Sequence, residues 1–189
     1  NEMLSTPNFH TPALALALDT LAIAHVHLAT ASAQRILKLM NPHLSGLPKY
    51  LSPIGGASAG LLPLQKTVAA LLAEIRLCAQ PASLDAIAVS EMVEDVAPQT
   101  PLAARKLASQ TDLLQWLIAI EALVAAQAVD LRKPKSLGRV AKMLHSTIRA
   151  TVPSLHEDRA TGPDVAVVRQ AINAAELRSV LANIGLTAQ

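Results

Sequence analysis

Thr11-Pro12 opens a run of alanine, leucine and isoleucine that meets no further proline until Pro42, and Thr100-Pro101 opens a second that extends to about Leu131. A capping hydroxyl before a proline suits a helix start, because proline's fixed φ matches the first helical position. Behind Pro12, Leu14, Leu18, Leu21 and Leu28 fall on one stripe and His27, Thr30, Gln34 and Lys38 on another. The spacing predicts a helix to about Met40, roughly 43 Å long at 1.5 Å per residue, stopped by Asn41-Pro42. In the second run Leu107, Leu114, Leu117, Val124 and Ala128 keep helical phase. Elements of this length make the expected fold class all-α.

The intervening stretches divide cleanly. Residues 41–63 carry so many Pro and Gly, among them Gly46, Pro48, Gly55 and Gly60, that no long regular element fits. Leu64, Val68, Leu71, Leu72 and Ile75 mark another helix. Residues 79–99, bounded by Pro81 and Pro98 and holding Asp85, Glu91, Glu94 and Asp95, form a connection long enough to suggest a function. Helices over about 135–151 and 163–184 complete the chain, the last opened by Gly162-Pro163-Asp164. No internal repeat is evident.

Composition narrows the class further. Hydrophobic residues make up 51%, yet there is one Phe, one Tyr and one Trp, and small apolar side chains favour close helix packing over sheets. Stripes this wide need partners on more than one side, so an obligate oligomer or part of one is expected. The single Cys78 excludes an internal disulfide and fits a reducing, cytoplasmic compartment. Asn1 is not a Met and opens no charged n-region, so a chain that begins inside a longer product, without a signal peptide, is expected.

The net charge of +2 is uneven: residues 1–131 hold seven Lys/Arg against ten Asp/Glu, residues 132–189 nine against four. The basic part (Arg132, Lys133, Lys135, Arg139, Lys142, Arg149) lacks interleaved aromatics, so a solvated or ion-paired face is expected rather than nucleic acid. The two long apolar runs contain Asp19, His25, His27, Glu121 and Gln127, which would be costly in lipid; buried bundle helices are expected and no membrane span.

Most candidate chemistry falls away on spacing. His25 and His27, two apart on a helix, point about 200° apart and cannot share one metal ion. Gly55-Gly56-Ala57-Ser58-Ala59-Gly60 lacks the Lys-Ser/Thr of a phosphate loop, and no nucleophile-elbow spacing serves the Ser, His and Asp inventory. Two places remain. Asn8-Phe9-His10 sets the chain's only Phe between polar groups at a helix entrance. Val93-Glu94-Asp95-Val96 sets adjacent carboxylates among apolar residues, where one can turn inward to a cationic or imidazole group. An N-terminal staple and a helix cap are the corresponding structural readings, and spacing alone leaves both open.

Pro7-Asn8-Phe9-His10-Thr11-Pro12-Ala13-Leu14-Ala15-Leu16-Ala17-Leu18-Asp19 resembles the GNFHG-x-P-x-A-x-A-L-D signature of the aromatic amino-acid ammonia-lyases, the histidine, phenylalanine and tyrosine lyases. ILKLMNPHLSGLPKYL from Ile36 resembles their RI-x-x-L-x-x-P-x-LSGLP-x-FL stretch. Ser83-Leu84-Asp85-Ala86-Ile87 with Val93-Glu94-Asp95 is similar to ASVDSIP…QED, and AARKL from Ala103 and AAQAVDLR from Ala125 match two more motifs. The matches are collinear. Departures are Pro7 and Thr11 in place of Gly, Val93 in place of Gln, and Val96 after the acid pair.

The resemblance implies an all-α, long-helix bundle of the ammonia-lyase/fumarase type, a homotetramer with sites shared between subunits, and α,β-elimination of ammonia from a small-molecule amino acid. Residues 1–132 would be the C-terminal part of the lyase core, with a pocket loop at 4–11 and the acidic loop at 79–99; residues 133–189 would be a C-terminal helical segment. The family's electrophile, a 4-methylidene-imidazol-5-one, forms from Ala-Ser-Gly, and its base is a tyrosine. This chain has no Ala-Ser-Gly; Ala57-Ser58-Ala59-Gly60 is a lookalike where the family has an NSG loop, and Tyr50 stands at the SGLP-x-F position. The chain corresponds to about the C-terminal two-fifths of a family member, so the electrophile is expected from an N-terminal portion outside it, and the chain alone is expected to be inactive.

By carry-over, Asn8 and Phe9 line the substrate pocket, His10 orients its loop, and Glu94 is the QED glutamate that contacts the substrate in histidine lyases. Lys66 stands after Gln65 where the family has a neutral residue. It reads either as a surface lysine with a snorkelling stem or as a charged substrate contact paired with Glu94. The histidine-type ammonia-lyase is the leading expectation. A thiol-histidine betaine lyase, which expels trimethylamine without an imidazolone, and a non-catalytic helical subunit are the alternatives.

Overall fold

The computed structural model describes residues 2, 10–84, 87–94 and 96–174. Its helices are α1 (Pro12–Met40), α2 (Pro42–Ser45), α3 (Leu62–Cys78), α4 (Thr100–Arg132), α5 (Arg139–Thr151) and α6 (Gly162–Asn173). Between them lie 3₁₀ turns at Lys49–Leu51, Gly55–Ala57 and Ser90–Met92. Among the described residues the only extended pairing is a single bridge between Val89 and Glu94, so the all-α expectation holds. The chain forms two compact units, one of Asn1–Ala29 with Leu72–Leu114 and the other of Thr30–Leu71 with Gln115–Gln189.

The proline-marked helix starts fall where the sequence places them. Two other boundaries differ. The helix expected from 135 begins at Arg139, because Gly138 before it has extended backbone (φ −59°, ψ 153°). The helix expected to reach 184 ends at Asn173, where Ala174 turns extended; residues 175–184 lie outside the described part.

In the first unit α1 packs through a small-residue seam: Ala15, Asp19, Ala22 and Ala29 are buried. The predicted leucine stripe is not that seam, for Leu14, Leu21 and Leu28 are exposed and Leu18 is half-buried. Small side chains let helix backbones approach closely, which leaves the longer leucines facing outward. Gln110 of α4 ties three helices together, its Nε2 donating to the Ala22 carbonyl of α1 (2.9 Å) and the Ile75 carbonyl of α3 (3.0 Å).

In the second unit no α4 residue from 115 to 131 is exposed: Leu117, Ala119, Ile120, Leu123, Val124 and Ala126 are buried and span about half of its circumference at 100° per residue, with half-buried residues over much of the rest, the pattern of a core helix. Its polar groups are all engaged. Glu121 pairs with Arg35 and accepts from the Ser32 hydroxyl (2.6 Å). Gln127 Nε2 donates to the Leu155 carbonyl (2.9 Å), and its oxygen accepts the Leu155 amide (2.9 Å). Asp130 binds His145, Arg149 and Ser154, each at 2.7 Å, and Arg132 donates to the Ser45 carbonyl, so two of the six basic residues singled out above have internal partners. An apolar cavity of about 330 Å³ lies between α4, α5 and α6, lined by Ile118, Val129, Leu144, Ile148 and Ile172 with the His145 ring at its edge.

By length and composition alone α1 and α4 could each cross a membrane. Their buried Asp19, Ser32, Gln110 and Gln127 find hydrogen bonds inside the protein, as polar groups of core helices must.

Candidate active site

The acidic connection is irregular but closed on itself. Val89 donates its amide to the Glu94 carbonyl (2.9 Å) and accepts from the Glu94 amide (3.3 Å); Ala97 donates to the Ile87 carbonyl (3.2 Å). Between the bridge partners, Ser90, Glu91 and Met92 all take left-handed backbone (φ 54°, 55° and 69°). Three successive non-glycine residues there are costly, and such strain persists only where the surroundings enforce it. Met92 and Val93 project into solvent, 82% and 85% exposed. Glu94 is exposed as well, and its carboxylate has no hydrogen bond or ion pair among the described residues. An exposed carboxylate, without a side-chain partner among the described residues, is thus held at the neck of a short apolar-tipped loop.

The ends of this connection are fastened to α1. At its start the Ser83 amide donates to Asp19 Oδ2 (2.8 Å). Burial pushes the Asp19 carboxyl up, but hydrogen bonds from Ser83 and Ala82, with the nearby Lys106 charge, outweigh it and hold Asp19 below the ordinary carboxylate value. Lys106 also donates to the Gln80 carbonyl. At the other end the Thr100 and Thr11 hydroxyl oxygens lie 2.8 Å apart, and Thr100 Oγ1 donates to the Thr11 carbonyl (3.1 Å). A hydroxyl has one proton, so the consistent set has Thr11 donating to Thr100. The two threonines expected as helix caps therefore spend their hydroxyls on each other.

The predicted site residues are only partly placed. Asn8 and Phe9 lie outside the described residues. His10 and Glu94 belong to the same unit and are both exposed; no hydrogen bond joins them. Lys66 lies on α3 in the other unit, with an exposed ammonium that pairs with no described residue. Asp19, Thr11 and Thr100 had no site role in the sequence reading. A lone acid in an alanine–leucine stripe is the signal for Asp19, since a buried carboxylate demands partners. Nothing in the sequence pairs two threonines eighty-nine positions apart.

The imidazolone lookalike is fully used by the fold. Asp158 accepts from the Ser58 hydroxyl, the Ala59 amide (2.8 Å) and the Gly60 amide (2.9 Å), and those hydrogen bonds, despite slight burial, hold its carboxyl below the ordinary value. Gly60 (φ +55°) presses so close to the Tyr50 carbonyl that a Cβ would sit 2.7 Å from it. Amides locked on a carboxylate are not free to cyclise, so these residues do not fit the electrophile.

A helical protein segment with an exposed acidic loop is the class that this arrangement defines. Residues 1–150 match the family model for aromatic amino acid lyases, and the chain belongs to that family. It is 41% identical over 172 residues to a histidine ammonia-lyase of Anaeromyxobacter sp. (strain K), covering 91% of this chain and 34% of that protein. With a histidine ammonia-lyase of Natranaerobius thermophilus it shares 38% identity over 182 residues, 96% of this chain and 36% of that one.

Among solved structures, the histidine ammonia-lyase of Trypanosoma cruzi superposes with a TM-score of 0.89 at 33% identity, over 98% of this chain and 36% of that one. The ergothioneine-degrading ergothionase of Treponema denticola does so at 0.86 and 34%, over 92% and 35%. The chain spans about a third of the length of the curated relatives it matches, less than the two-fifths expected.

Proposed function

We propose that this chain supplies part of the active site of a histidine-type ammonia-lyase, which eliminates ammonia from its amino-acid substrate to leave an α,β-unsaturated acid. The observation that carries this reading is the exposed Glu94 carboxylate, without a partner among the described residues, on a loop fastened to α1, in a chain whose curated relatives include histidine ammonia-lyases.

An exposed carboxylate without an internal partner is available to accept a hydrogen bond from an imidazole N–H or a protonated amine, and so to orient the substrate. Phe9, with Asn8, packs against the substrate side chain, and His10 holds their loop. The electrophile that withdraws electrons from the amino leaving group is a 4-methylidene-imidazol-5-one formed outside this chain, and the base for the β-proton comes from outside it as well. Lys66 is assigned as a further charged contact to substrate. The working enzyme is a cytoplasmic homotetramer that also contains the N-terminal portion; the exposed leucine face of α1 supports assembly.

In the assembled enzyme Glu94→Gln is expected to lower kcat on L-histidine about a hundredfold, with the melting temperature unchanged because the Glu94 carboxylate is exposed and bonds to no described residue. Unchanged kinetics would remove Glu94 from the site. The likeness to the ergothionase favours a second reading, elimination of trimethylamine from a thiol-histidine betaine. Offering L-histidine and ergothioneine side by side separates the two: ammonia release marks the first, trimethylamine the second.

A further inference from the structure

We propose that Asp19 and the Thr11–Thr100 hydroxyl pair are positioning residues, which pin both ends of the Glu94 loop to α1 so that Glu94 meets the substrate in one register. The inference rests on the lyase reading and goes beyond it, because none of the three residues bears on substrate chemistry.

Between its ends the described residues of the loop hydrogen-bond only to one another. Its described internal backbone bonds are the Val89–Glu94 bridge, the 3₁₀ turn and the Ala97–Ile87 contact. Its tip residues are exposed and take left-handed backbone, a geometry that relaxes unless it is held. The holding groups are therefore at the ends. Asp19 is buried, 5% exposed, and accepts the Ser83 amide. Thr100 closes the other end on Thr11, the residue after His10. The same helix entrance that carries Asn8-Phe9-His10 thus anchors the far end of the loop that carries Glu94, and Asp19, two helical turns on, anchors the near end. Thr11 is also one of the departures from the GNFHG pattern: a glycine there would keep the carbonyl that accepts from Thr100 but not the hydroxyl–hydroxyl bond.

The test uses the assembled enzyme with L-histidine. Asp19→Ala and the near-isosteric Thr100→Val should each lower kcat at least about tenfold, since small misplacements of a contacting group are costly, and amide hydrogen exchange over residues 87–94 should accelerate. The conservative Asp19→Asn and Thr100→Ser, which keep an acceptor and a hydroxyl, should restore kcat to within about threefold. Exchange in 87–94 unaltered in the Ala and Val variants overturns the proposal, as does faster exchange with kcat within about twofold of the parent. Glu94→Gln in the same assay separates the two possible failures. Full turnover there sinks the lyase-site reading, whereas an inactive Glu94→Gln beside fully active Asp19 and Thr100 variants overturns the positioning alone.

Discussion

Two side chains show how tightly single positions are specified. Gly60 has left-handed backbone and no room for a Cβ against the Tyr50 carbonyl, and its amide is held by Asp158. Gly60→Ala combines a steric clash with an unfavourable φ and should destabilise the protein by about 1–3 kcal/mol, read as a lower thermal midpoint. Asp130 is the acidic centre of the second unit. Burial raises its carboxyl, but Ser154, His145 and Arg149 together outweigh that and hold it below the ordinary value of 3.8. A carboxylate depressed on folding stabilises the native state above its unfolded value, and that contribution is lost as pH falls through the folded one. Acidification below about pH 4 should therefore loosen the α4–α5 contact. Asp130→Asn should flatten this acid limb of a stability–pH profile; an unchanged limb would show that other carboxylates set it.

At the scale of elements, proline and turn signals were legible, whereas the use of the cap hydroxyls and the facing of the helices were not. Pro12 and Pro101 mark helix starts through the proline ring alone and Asn41-Pro42 marks the end of the first helix, and α1 and α4 lie where those signals place them. Which face of α1 is inward could not be read the same way. Leu14, Leu21 and Leu28 have the stronger apolar signal, but the buried line is Ala15, Asp19, Ala22 and Ala29. Burial there follows the closeness of the α1 and α4 backbones, which Gln110 bridges, and periodicity does not report that distance. The candidate site was legible in the same uneven way. Glu94 and His10 are candidates singled out on the residues around them, while Asp19, Thr11 and Thr100 come together with the ends of the acidic connection only once folded.

For the whole molecule, the exposed α1 face is the main consequence. Leu14, Leu21 and Leu28 are each 46–51% exposed and recur every seven residues, an apolar strip along one side of α1 of the kind that marks an association surface. Leu14→Glu with Leu21→Glu should shift the assembled enzyme to smaller species in light scattering after size exclusion, while the helical circular dichroism of the chain persists. A tetramer that survives both charges would place the assembly surface elsewhere.

Local chemistry in the sequence determined the helices, their starts and the irregular acidic connection, because proline geometry, glycine and apolar spacing act over a few residues. The motif residues also identified the lyase family before any coordinates. Only the tertiary structure decided that the Ala57–Gly60 loop is bound to Asp158, that α1 buries alanines and an aspartate, and that two threonines fasten the Glu94 loop. Those outcomes depend on distances between segments remote in the chain, and such distances are set by packing rather than by any local preference.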